Sequence, residues 1–145
     1  MEINKQINAE KYLIKSSQFG DFPYNTDSER ELYKKSKVVI IGIPYDVTST
    51  YQRGSNSGPE AIFSASKNVE VYDDNFGNIY EVGIFTGGTI KLNDINTLPD
   101  NVINRIYSVC KGFVDDDKFL VSIGGEHSIS VGIAKAFKEK YDQIS

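Results

Sequence analysis

Lys118-Phe-Leu-Val-Ser-Ile-Gly-Gly-Glu-His-Ser128 joins an apolar run to a glycine pair, an acid and the one histidine of the chain. Phe119 to Ile123 reads as a buried strand. Gly124 and Gly125 let the backbone turn sharply and come close to a neighbour. Beyond them, Ile129, Ile133, Ala134, Phe137 and Tyr141 recur at helical spacing, with Ser128 or Ser130 as the N-cap. Strand, tight turn and helix together place the imidazole of His127 at the carboxyl end of a strand. Open α/β sheets assemble their ligand and metal sites there.

A second stretch has the same form. Val38-Val-Ile-Ile-Gly-Ile43 is a continuous β-branched run ended by Pro44, the pattern of a strand covered on both faces. Residues 44 to 58 carry Pro, Thr, Ser, Asn and Gly and read as a long loop. Gly58-Pro59 then opens a helix, because proline suits the first helical position. Ala61, Ile62, Ala65 and Val69 are the expected buried face of that helix. Val102, Ile103, Ile106, Val109, Cys110 and Phe113 form one stripe of a further helix from Pro99, broken by Asp115-Asp116-Asp117. Between them, Val82, Ile84 and Ile90 around Gly83, Gly87 and Gly88 suggest a short strand and turns. Phe19, Phe22, Pro23 and Tyr24 suggest that residues 1–36 form an arm lying on a surface.

These elements imply an α/β domain with parallel strands and right-handed crossovers. The 145 residues suffice for one domain. Sixteen Lys and Arg against twenty Asp and Glu leave a net charge of -4, and no basic stripe is interleaved with aromatics, so no nucleic-acid partner is expected. No apolar run approaches membrane-spanning length, so no membrane is expected either. The start MEINKQINAEKYL lacks the apolar core of a secretory signal. The lone Cys110 suits a reducing compartment. The expected location is the cytoplasm.

Five positions beside His127 are candidates for its surroundings. Glu126 and Ser128 flank it. Asp46 and Arg53, with Tyr51, come from the 44–58 loop, which follows the carboxyl end of the other strand and should share a rim with His127. A neutral imidazole is a good ligand for a divalent transition metal, oriented through its second nitrogen. The plainer reading is a histidine at a helix N-terminus, with Asp46, Thr48 and Ser49 satisfying backbone groups in a long turn. The glycine turn could also cradle a small anion, although Glu126 puts negative charge there and no P-loop lysine is present. The acidic run 115–117 precedes its strand and so belongs at the opposite end of the sheet, as a solvated turn. Cys110 falls on an apolar helix face and should be inert.

Together the two loops resemble the ureohydrolase family of arginases and agmatinases, the agmatinase branch more closely. The first resembles that family's G-x-P-x-D, R-x-G and G-P run through Gly42, Pro44, Asp46, Arg53, Gly54, Gly58 and Pro59. The second resembles its G-G-[DE]-H-S segment. The likeness runs from about Lys37 to the last residue. It implies a three-layer arginase-like fold with a mainly parallel sheet, and a manganese-dependent hydrolysis of a guanidino compound, agmatine first, to urea and putrescine. In that chemistry two Mn²⁺ ions activate one water, and His127 would be the first histidine ligand. A homo-oligomer is implied for the whole protein. The family's D-x-H-x-D and D-x-D segments have no counterpart in residues 1–145. The expectation is therefore the N-terminal half of such an enzyme: an arm over 1–36 and half a domain over 37–145, inactive alone, with a complementing C-terminal half as a candidate partner. The alternatives are a non-catalytic remnant acting as an interaction module, and a small-anion-binding α/β domain. Half a sheet would also leave an apolar edge that invites association.

Overall fold

A computed structural model describes residues 11–24 and 28–144. Its centre is the strand β2, Val38–Ile43. This strand runs parallel to β5 (Ile84–Ile90) on one side and to β6 (Phe119–Gly124) on the other. A two-residue strand β1, Leu13–Ile14, adds antiparallel to the far side of β5. The sheet order is β1-β5-β2-β6. Alternation along β2 explains its layers. Val39, Ile41 and Ile43 enter one core with Val102, Ile106, Val109, Cys110 and Phe113 of helix α3 (Pro99–Asp115) and with Ile129 and Ala136 of helix α4 (Ile129–Lys140). On the opposite face, Gly42 lies against Pro59 and Phe63 of helix α2 (Gly58–Ala65). Helix, sheet and helix thus form three layers.

The N-terminal segment does more than lie on a surface. β1 extends the sheet, and helix α1 (Glu29–Lys35), capped by Ser28, sends the buried Tyr33 into the main core. The segment's aromatic residues form a cluster with Tyr80: Phe22 stacks on Tyr80, and Tyr24 meets both edge-on. What is expected of residues 1–10 and 25–27 lies outside the described residues.

Three local expectations are corrected. Gly87 and Gly88 do not mark turns. They lie inside the seven-residue β5 at a register shift, where Ile40 pairs with Thr86 and Ile41 with Gly88. Gly88 has φ +95°, a conformation that a side chain resists. The inner face of α2 is Pro59 and Phe63, continued by Ser66 just past its end, rather than Ala61, Ile62, Ala65 and Val69, which are exposed. A helix carrying two apolar stripes offers a choice, and the close approach of Pro59 and Phe63 to Gly42 decides it. In α4, Ile129 is buried as expected, but Gly132 and Ala136 complete the face while Ala134 and Tyr141 are exposed. The 70–83 stretch also holds a small hairpin, β3 (Tyr72–Asp73) with β4 (Gly77–Asn78).

The acidic run is not simply solvated. Tyr33 donates to Asp116 at 2.6 Å, Lys111 pairs with Asp115 at 3.2 Å and Lys140 with Asp117 at 2.5 Å. It precedes β6 and so stands at the opposite end of the sheet from His127. Cys110 is fully buried, and burial pushes its thiol up to about 12.

Candidate functional site

The parallel register of β2 and β6 sets the geometry. Ile43, the last residue of β2, is paired with Gly124, the last of β6. Both strands end level, so both following loops leave from one rim. The pairing then continues past the strands. The Gly125 N–H donates to the Ile43 carbonyl at 3.0 Å and the Glu126 N–H to the Tyr45 carbonyl at 2.8 Å. Only glycine fits at 125, because a Cβ there would stand 1.9 Å from the Tyr45 carbonyl oxygen. The two loops are thereby zipped together for two residues. Tyr45 is the anchor: its ring is buried and its hydroxyl donates to the Thr97 carbonyl at 3.1 Å.

Glu126 binds the loops side chain to side chain as well. Its carboxylate accepts from the Thr48 hydroxyl at 2.7 Å, from the Ser128 N–H at 3.1 Å and from the Ser128 hydroxyl. Partial burial works to raise the pKa of this group. Donation from Ser128 and Thr48, and the field of His127, outweigh it and hold the carboxyl below the usual glutamate value. Ser128 occupies the N-cap position of α4, but its hydroxyl serves Glu126 and makes no cap bond. Ser128 thus stands at the expected N-cap position without the capping bond. Between these two pinned residues, His127 is exposed on the rim.

The other candidates from the 44–58 loop shape the loop itself. Asp46 is buried and accepts from the Gly54 N–H at 2.7 Å, closing an eight-residue span. Arg53 is exposed and reaches back to the Val47 carbonyl at 3.2 Å. Tyr51 projects into solvent, 90% exposed. The structure therefore gathers Glu126, His127 and Ser128 with Thr48, and gives Asp46 and Arg53 contacts within their own loop. Thr48 is the residue whose part the sequence reading missed. Its partner lies 78 positions away, so no local pattern marks it.

A cleft of about 180 Å³ lies between the N-terminal segment and β5, lined by Leu13, Ser16, Tyr33, Phe85, Thr86 and Phe113. His127 and the 44–58 loop take no part in it. The donor set on the rim falls short of the metal pair that the resemblance implies. Among the described residues, no group of three or more His, Cys, Asp or Glu side chains is placed to hold an ion. One exposed imidazole beside a carboxylate already engaged by three donors does not make a metal site.

Comparison with known proteins decides the family. Residues 36–145 match the arginase family. The chain belongs to that family. It is 37% identical over 112 residues to an N(1)-aminopropylagmatine ureohydrolase of Synechocystis, a match covering 73% of this chain and 36% of that protein. It is 35% identical to an agmatinase of Bacillus cereus, covering 78% of this chain and 39% of the relative. Among solved structures, the agmatine ureohydrolase of Thermoplasma volcanium superposes with a TM-score of 0.68 at 30% identity, over 87% of this chain and 40% of that one. The arginase-like fold expected from the two loops is therefore shown. The chain spans about two fifths of the length of these relatives, an N-terminal portion of them. No helix among the described residues is long and apolar enough to cross a membrane.

Proposed function

We propose that this chain supplies one wall of a ureohydrolase site, with the hydrolysis of a guanidino compound to urea and an amine as its reaction, and agmatine, giving putrescine, as the first substrate to try. One observation carries the reading: the ladder between β2 and β6 runs on into both loops, so that His127 and the Pro44–Gly58 loop share one rim. The likeness to ureohydrolases and agmatinases supports the choice of chemistry.

In this reading His127 is one ligand of a manganese pair, and the other ligands come from a downstream segment carrying the D-x-H-x-D and D-x-D motifs. The chain's own residues contribute placement. Glu126 and Ser128 fix the turn on either side of the imidazole, while Asp46, Arg53 and Gly54 hold the facing loop in shape. The edge strand β6 is where the complementing segment joins. Phe119 is 70% exposed and the rest of the strand is only half-buried, so a further strand would cover apolar surface and pair a free edge. The assembled enzyme is a cytoplasmic homo-oligomer in this account. A small-anion site at the same turn is disfavoured, because the Glu126 carboxylate already accepts from the Ser128 N–H.

The test is release of urea with manganese from agmatine, arginine and guanidinobutyrate. It is run on the chain alone and on the chain with the downstream segment supplied. The expected outcome is urea only from the combination, and most from agmatine. No urea from the combination with any guanidino compound would refute the reading.

A further inference from the structure

We infer that Thr48 is a positioning residue for His127, acting through Glu126. This rests on the proposed role of His127, and it gives a part to a residue that the first loop carries with no role assigned to it. The backbone zipper between the loops ends at the Glu126 N–H. From there on only side chains tie the His127 turn to the facing loop. The Thr48 hydroxyl makes that tie, donating to Glu126 Oε1. The same carboxylate then reaches forward over the histidine to the N–H and the hydroxyl of Ser128. Glu126 is thus a bridge with one foot on the 44–58 loop and the other on the first turn of α4. His127 is the residue that the bridge spans. Its backbone is held at both neighbours, while its ring stays in solvent on the rim.

Chemistry favours this arrangement. A carboxylate accepting from two hydroxyls and an N–H makes charge-assisted bonds, stronger than neutral ones. A glycine pair immediately before the bridge gives the turn freedom that would otherwise scatter the imidazole. A site assembled from two segments needs its ligands held within about half an ångström of their working geometry. Thr48 restores, across the sheet rim, the order that Gly124 and Gly125 give up.

The experiment uses the 145-residue chain and compares Thr48→Val, which keeps the shape and removes the hydroxyl, with Thr48→Ser, which keeps the hydroxyl. Two signals are read by nuclear magnetic resonance: hydrogen exchange at the Ser128 amide, and the ring Cε1–H line of His127, unambiguous because the chain has one histidine. In Thr48→Val, Ser128 exchange should rise roughly five-fold, as expected for loss of one such bond at a partly exposed site, and the His127 line should shift or broaden. Thr48→Ser should match the parent in both. Glu126→Gln, approaching the bridge from its other end, should reproduce the valine signature. The inference is overturned if Thr48→Val leaves both signals unchanged. It is overturned equally if Thr48→Ser behaves like Thr48→Val, or if exchange rises evenly across the sheet, as a general loss of stability would cause. None of these signals depends on urea release, so the bridge and the ureohydrolase reading fail separately.

Discussion

β2 and β6 are nearly interchangeable as sequences and opposite in circumstance. Each is a six-residue apolar run ending in glycine or beside it, and each delivers a loop to the same rim. Yet Val39, Ile41 and Ile43 of β2 are completely buried, while β6 begins with Phe119 in solvent and nowhere becomes fully buried. The difference lies in neighbours. β2 has a strand on each side and helices on both faces; β6 has one strand beside it. Among the described residues, β6 is thus an edge strand with the composition of a central one.

Paired truncations sharpen this contrast. Ile41→Ala should cost about 3 kcal/mol, as for a well-packed core residue, and Val121→Ala in half-buried β6 about 1 kcal/mol. Urea unfolding measures both, and equal costs would mean that β6 is as enclosed as β2. Gly125→Ala addresses the zipper between the loops, since its methyl would overlap the Tyr45 carbonyl. A loss of about 2 kcal/mol is expected, with faster exchange at the Gly125 and Glu126 amides while β2 stays protected. If that ladder persisted unchanged, the close approach described here would be wrong.

Cys110 reports on the α3 side of the core. Its folded pKa is raised from 9.0 to about 12 by burial. The thiol is therefore neutral in the fold but ionises from about pH 9 once unfolded. Its contribution to stability is complete below that value and is lost as pH climbs toward 12. At pH 8 the native thiol should resist alkylation and react only on unfolding; rapid labelling of the native protein would contradict a sealed core. The smallest expected effect on stability is at the edge. Phe119→Ser should change it by no more than about 0.5 kcal/mol, yet sedimentation at high concentration should show less self-association than the parent. No change in association would remove the edge as the sticky surface.

Much of the frame is legible from residues because burial and periodicity coincide there. β2 and β6 are apolar runs closed by Pro or Gly, and α3 carries one stripe from Val102 to Phe113 that is indeed its buried face. β5 hides because Gly87 and Gly88 imitate a turn while serving a register shift. β1 hides because two residues make no pattern. The wrong face of α2 shows the limit of periodicity: Ile62, Ala65 and Val69 are as regular as Pro59, Phe63 and Ser66, and only contact with Gly42 separates them. At the site, His127, Glu126 and Ser128 are announced by their motif. Thr48 stands in the other loop, and its bond to Glu126 is not legible there, because the partner lies 78 positions away. Asp46 stands in a family motif, but its observed bond to Gly54 shapes a loop.

The most direct measurement is urea release from agmatine with manganese by this chain joined to a downstream segment carrying the D-x-H-x-D and D-x-D motifs, compared with the same combination bearing His127→Ala. The expected result is turnover that the substitution lowers by roughly a hundredfold or more, and none from either piece alone. Full activity without the imidazole, or urea from the 145-residue chain by itself, would contradict it.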